Sequence, residues 1–315
     1  MIVTEKTSWL RMIFAVHGTT MGKVWPRVFI VTAFAGVVTY VSSVAGVHKY
    51  SLTPAPFTVV GLALAIFLGF RNNAAYDRYW EGRKLWGSMV NTTRTFAIQV
   101  LTVTHAEEGA DFAELKQLRG RLIRLILAYV NALRHKLRDT TPEAELYEYM
   151  EDKASAEAVR RHANTPVAIG RLIAEMIAVA EQRGWLKTFH VPLLYNNLTE
   201  MISVQGACER IKSTPIPYTY SVLTHRTTML YCLALPCGLH DTVGILTPLV
   251  VGFVAYAFLG LDAVGDEIEQ PFGLDDNHLP LHSITRTIEI NLLQLEDIDS
   301  NPVPPALHPQ KHVLH

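Results

Sequence analysis

The chain has 315 residues, 28 basic against 29 acidic side chains, a net charge of −1 and a mean hydropathy of +0.17. Only 18% of residues are charged, where about 25% is usual for soluble domains, so several apolar segments are expected and a basic nucleic-acid binder is not. Cys208, Cys232 and Cys237 form no CxxC pair, which excludes a zinc ribbon or a disulfide framework.

Residues 1–27 are amphipathic, broken by Glu5, Lys6 and Arg11, and lack a signal-peptide cleavage pattern. Residues 28–47 then carry no charge, and neither do residues 50–70. A bilayer span takes roughly 20 apolar residues as a helix. The first run reaches that length. The second has Pro54 and Pro56 near its start, so its helix is expected to begin around Pro56 or Phe57. The uncharged runs 227–240 and 242–261 form a second pair, joined by an expected loop around 236–242. Two hairpins of membrane helices result. Four buried helices of a soluble core are the competing reading.

Orientation follows the distribution of Lys and Arg. Residues 71–226 hold 21 of the 28 basic residues, and the two intervening loops hold one, Lys49. The N-terminus, the middle segment and the C-terminus are therefore placed in the cytoplasm. Residues 262–315 carry a net −8 and are expected to wrap against basic cytosolic helices or a neighbouring subunit.

The middle segment reads as helix. Residues 114–138 repeat apolar side chains at three- and four-residue steps, among them Leu118, Leu122, Leu125 and Ile126. Thr141-Pro142-Glu143 predicts the start of a helix over 142–161, Thr165-Pro166 a second over 165–183, and Pro192 opens a third. A last helix is expected over 282–295. The proline-rich end from Ser300 is expected to be extended.

Residues 57–100 stay apolar through Phe70 and turn polar at Arg71 with no proline or glycine pair between, which predicts one rod entering the cytoplasm. On it Leu62, Ile66 and Phe70 fall at i, i+4, i+8 and form one stripe. By spacing alone the stripe faces lipid or another subunit; in a ring of subunits it would make three apolar collars that gate by dewetting. Arg71 and Arg78 either mark the membrane boundary and pair with Asp77 and Glu81, or line a vestibule. Asp241 is either a helix N-cap or an outer carboxylate that steers cations.

Three blocks in order resemble the bestrophins, especially their prokaryotic members: Phe67-Leu68-Gly69-Phe70-Arg71-Asn72-Asn73-Ala74-Ala75-Tyr76-Asp77-Arg78-Tyr79-Trp80-Glu81, Cys208-Glu209-Arg210 through Tyr218, and Gln270-Pro271-Phe272-Gly273-Leu274-Asp275-Asp276. The resemblance covers about residues 1–295. It implies a homopentamer in the lipid bilayer with one central pore for monovalent ions, whose neck carries over onto Leu62, Ile66 and Phe70. It also implies a second constriction at the cytosolic exit, for which Met176, Ile177 and Val179 are candidates.

Two departures from the family pattern matter. Animal members bind Ca²⁺ at a longer acidic run, and the ion takes six to eight oxygens. Here Asp275 and Asp276 remain, followed by Asn277 and His278, so Ca²⁺ gating is in doubt, acids capping the next helix explain the pair, and no cofactor is required. Animal members conduct chloride through necks richer in phenylalanine, whose ring edges are electropositive. A single aromatic collar, Phe70, leans toward Na⁺ and K⁺, as does the resemblance to prokaryotic members.

The expected fold is an all-α integral membrane protein with four transmembrane helices per subunit. Its parts are the N-terminal segment 1–27, a hairpin over 28–70, a cytosolic region over 71–218, a second hairpin over 219–261, an acidic segment with a helix over 262–299 and a tail over 300–315. A bacterial inner-membrane channel, not an enzyme, is the expected function. A chloride channel of the same build, a secondary transporter and a non-conducting scaffold are the alternatives.

Overall fold

The structure is a computed structural model that describes residues 18–45, 53–106, 112–150, 152–296 and 304–309. Residues 1–17, the loop with Lys49, the end of the acidic segment over 297–299 and most of the tail lie outside the described residues. The described residues form ten α-helices and no sheet; one isolated bridge pairs Thr104 with Leu186. The chain divides into two compact units.

One unit holds residues up to Trp80 together with 214–271. It contains α1 (Met21–Ala45), the first part of α2 (Pro54–Val103), α8 (Tyr218–Val243) and α9 (Thr247–Glu269). Gly22–Val44, Pro54–Val103 and Tyr218–Glu269 contain stretches long and apolar enough to cross a membrane. Val24, Val28, Val31 and Ala35 form one buried face of α1 and pack with Val251, Ala255, Leu259 and Ala263 of α9 and with Cys232 and Leu235 of α8. The opposite faces leave Phe29, Tyr40, Leu230, Leu249 and Phe253 exposed. Large apolar side chains on so many outward faces suit a lipid surround better than water.

The break between α8 and α9 is not where the sequence suggests. The helix passes through Pro236 and ends at Val243, where Gly244 adopts φ +64° and Gly244–Leu246 form a 3₁₀ turn. Positive φ breaks the helical path, and glycine takes it without a Cβ penalty. Asp241 therefore sits inside the last turn of α8, exposed, and does not cap α9.

The other unit holds residues 81–213 and 272–315. Its centre is α3 (Phe112–Arg138), which buries Leu118, Leu122, Ile126, Tyr129 and Leu133. Tyr129 donates to Gln205 Oε1 at 2.7 Å, so its buried hydroxyl is satisfied. The expected helix over 142–161 is two, α4 (Glu143–Tyr149) and α5 (Lys153–Arg160). The second starts where Asp152 accepts hydrogen bonds from the Ala154 and Ser155 backbones, both at 3.0 Å. The unit continues with α6 (Thr165–Gln182), α7 (Val191–Ser213) and α10 (Leu281–Glu296).

A charged network joins α3, α4 and α10. Arg134 reaches His282 and Glu145, and Arg286 pairs with Glu289 at 2.8 Å. Burial pushes the Glu289 carboxyl up to about 7, with Glu148 adding to the shift. Burial, with Arg134 next, pushes His282 down to about 4. The folded state thus holds the Glu289 proton more tightly than the unfolded chain does. That contribution is complete below about pH 4.5 and is lost as pH rises through about 7. His282 works in the opposite sense, contributing above about pH 6.5. Comparison of Glu289→Gln with the parent isolates the first effect. The variant is expected to gain on the order of 2 kcal/mol relative to the parent between pH 5 and pH 8, read as the change in their Tm difference. A Tm difference that stays flat with pH would sink the assignment.

Candidate functional site: the exposed face and the buried anchor of α2

The α2 helix runs 50 residues without interruption, roughly 75 Å at 1.5 Å per residue. Within the apolar unit one of its faces is buried: Leu64, Leu68, Arg71 and Ala75 follow at i, i+4, i+7, i+11 and are covered. Leu62, Ile66 and Phe70 lie on another face and are 65%, 50% and 64% exposed. Continuing that face by helical periodicity gives Asn73 and Asp77, both exposed. The face thus changes from apolar to polar directly after Phe70. The sequence reading passed over Asp77 as a partner for arginine. Its helical register with Asn73 and Phe70 was the available signal.

Arg71 turns the other way. It is 1% exposed, with Nη1 at 2.8 Å from Asp262 Oδ1 of α9 and Nη2 on Asp266 and, at 3.6 Å, Glu269. The second oxygen of Asp262 faces His225 Nδ1 of α8 at 2.5 Å, and His225 Nε2 lies 3.4 Å from Asp266. Gly265 makes room, since a methyl group there would overlap the Asn72 side-chain oxygen. The vestibule reading of Arg71 is therefore corrected: its charge is compensated inside the subunit, because an unpaired guanidinium out of water costs several kcal/mol. Arg78 is half-buried and donates to the backbone carbonyls of Glu269, at 3.0 Å, and of Thr214. The acids at the end of α9 meet basic groups: Asp262 and Asp266 hold Arg71, and Glu267 lies 3.7 Å from Lys23.

His225, Asp262 and Asp266 bring three ligand-type atoms within 4.8 Å of one another. The guanidinium of Arg71 already bridges the two carboxylates, so the positive charge this cluster calls for is a side chain of the protein.

The other predicted positions are dispersed. Met176 is half-buried and Val179 exposed; both line a cavity of about 280 Å³ with Arg121, Arg124 and Glu175. Ile177 is fully buried in the helical core, so it cannot face a passage. Asp275 and Asp276 lie in a turn before α10, whose first helical residue is Leu281, so they do not occupy its N-cap. His278 secures that turn by accepting the Asp275 backbone N–H at 3.0 Å.

Comparison with known proteins identifies the class to which this arrangement belongs. Residues 1–294 match the family described as Bacterial/Fungal Bestrophin protein. A protein of Ralstonia nicotianae named as voltage-dependent anion channel-forming is 38% identical over 92% of each chain. The similarly named YneE of Escherichia coli K12 is 36% identical over 99% of each. A crystal structure of a bacterial bestrophin homologue from Klebsiella pneumoniae, solved as a point variant, superposes with a TM-score of 0.79 at 32% identity, covering 87% of this chain and 99% of that one. The chain belongs to the bestrophin family.

Proposed function

We propose that this chain is the subunit of a homopentameric ion channel in the bacterial inner membrane, passing small monovalent ions through an apolar neck. The observation that carries the reading is the exposed Leu62–Ile66–Phe70 face of α2, set apart from the face by which α2 is anchored. Five copies of that face around an axis stack three collars, which close to ions by dewetting rather than by a charged plug. The membership in the bestrophin family and the channel names of the relatives support it. The excess of Lys and Arg over residues 71–226 supports a cytoplasmic side for both termini and the helical unit. Val179 is the best exposed of the three candidates for a second constriction.

For the ion, Na⁺ and K⁺ are the first reading. Its support is Asp77, which puts five carboxylates on the pore face two turns past Phe70, with Leu62 and Ile66 offering no aromatic edge to an anion. Chloride is the second reading, favoured by the anion-channel names of the relatives. Planar bilayers under an NaCl gradient separate the two. A reversal potential near that of Na⁺, moving toward that of Cl⁻ in Asp77→Asn, is the expected result. A parent reversal near the Cl⁻ potential would replace the first reading by the second and keep the channel. Absence of current from protein that assembles as a pentamer would remove the channel reading itself.

A further inference from the structure

We propose that Arg71 is a positioning residue for the Phe70 collar, acting through its ion pairs with Asp262 and Asp266; this rests on the reading of Leu62, Ile66 and Phe70 as the constriction. Phe70 and Arg71 are adjacent, so their side chains leave α2 about 100° apart. Phe70 is exposed and Arg71 is buried on α9. On the exposed side the ring is 64% open among the described residues. On the buried side the ties converge within two turns. Tyr220 donates to the Phe67 carbonyl at 3.1 Å, Asn72 donates to the Leu261 carbonyl at 3.0 Å, and Arg71 is fastened to both aspartates.

Of these ties, only the one at Arg71 is ionic and buried, and only it engages α8 and α9 together, through Asp262 and His225. Packing alone fixes a helix rotation loosely on its apolar faces, because methyl groups slide past one another at small cost. A guanidinium held by two carboxylates accepts little rotation before its hydrogen bonds lengthen. The leverage is large. A side-chain tip lies about 5–6 Å from the helix axis, so a 10° turn of α2 moves it by about 1 Å. Five such shifts act together at one collar. The ion cluster thus sets the aperture from outside the pore, without any of its charges facing the ion path.

The test is single-channel recording in planar bilayers, with assembly checked by size-exclusion chromatography. The set is Phe70→Ala, Arg71→Lys, Arg71→Gln, Asp266→Asn and the doubles that combine Phe70→Ala with Arg71→Gln or Asp266→Asn. Arg71→Gln is expected to change unitary conductance by about twofold or more, Arg71→Lys to restore most of it, and Arg71→Gln to add nothing once Phe70 is alanine, since coupled residues fail additivity. Should Arg71→Gln fail to assemble, Asp266→Asn carries the same comparison, because Asp266 is 41% exposed and its loss leaves the Asp262 pair in place. Conductance unchanged in Arg71→Gln, or in Asp266→Asn where that stands in, while Phe70→Ala differs from the parent, would overturn the positioning role alone. An effect equally large in the alanine background would also overturn it, because Arg71 would then act on the fold and not on the collar. A conductance unmoved by Phe70→Ala would instead remove the constriction reading and this proposal with it.

Discussion

Alanine at Phe70 is expected to raise the single-channel current several-fold without loss of assembly, with Ile66→Ala and Leu62→Ala raising it less. An apolar collar resists ions because water leaves a narrow oily gap, and an ion cannot enter without its hydration. In the proposed pentamer, removing a phenyl ring from every subunit would widen that gap more than removing an isobutyl or sec-butyl group. A barrier lowered by about 1 kcal/mol passes ions about fivefold faster. Stability should change little, since these side chains are at least half exposed within the subunit and leave no cavity in its core. The measurement is unitary current at fixed voltage for the parent and the three variants. Currents equal to the parent in all three would turn the stripe into a lipid-facing or packing surface. The reversal potential carries a second reading of the same variants. If Phe70 favours anions through its ring edge, its loss shifts the reversal toward the cation potential.

Asp262→Ala is expected to be the most damaging single change in the membrane unit, at about 3 kcal/mol, because it removes the one fully buried carboxylate on the Arg71 guanidinium and leaves only the more exposed Asp266 and Glu269 to compensate it. Asp262 is 1% exposed and holds Arg71 with one oxygen and His225 with the other. Asp266→Ala should cost about 1 kcal/mol or less, since Asp266 is partly open to solvent. The paired change Arg71→Met with Asp262→Leu should recover much of the loss, as apolar replacements of buried ion pairs commonly do. Thermal melting of the purified protein checks the order. Equal Tm values for the two single aspartate variants would contradict the burial argument.

Much of this was legible in the sequence, and the parts that were not share a cause. The α2 rod was readable because residues 57–100 hold no proline and no glycine pair and keep a helical period on both sides of Arg71. The stripe followed from spacing alone. The stop of α8 was misplaced because Pro236 and Gly238 look like a turn. Gly238 is there for close packing: a Cβ would overlap the Phe57 ring, and the helix carries on past it. The split at Asp152 was available in the residue type, since aspartate is a strong N-cap, but the run 142–161 reads as one helical stretch. The Arg71 cluster was beyond local reading. Its members stand at positions 71, 225, 262 and 266 on three helices, and only the packing of α2, α8 and α9 brings them together. A charged residue beside a membrane span looks the same in sequence whether it faces water or a buried carboxylate.

The abrupt change on one face of α2, from Phe70 to Asn73 and Asp77, would make the proposed neck electrically lopsided. No acidic residue lies between Glu5 and Asp77 in the chain, so the first hairpin offers no matching carboxylate at the opposite mouth. In the channel proposed above, cations are expected to gather at the mouth that carries Asp77. A pore with such unequal entrances passes current more easily in one direction than in the other. The proposed channel is therefore expected to rectify like a diode, passing cations more easily from the Asp77 mouth than toward it, which current–voltage curves in symmetric KCl would read.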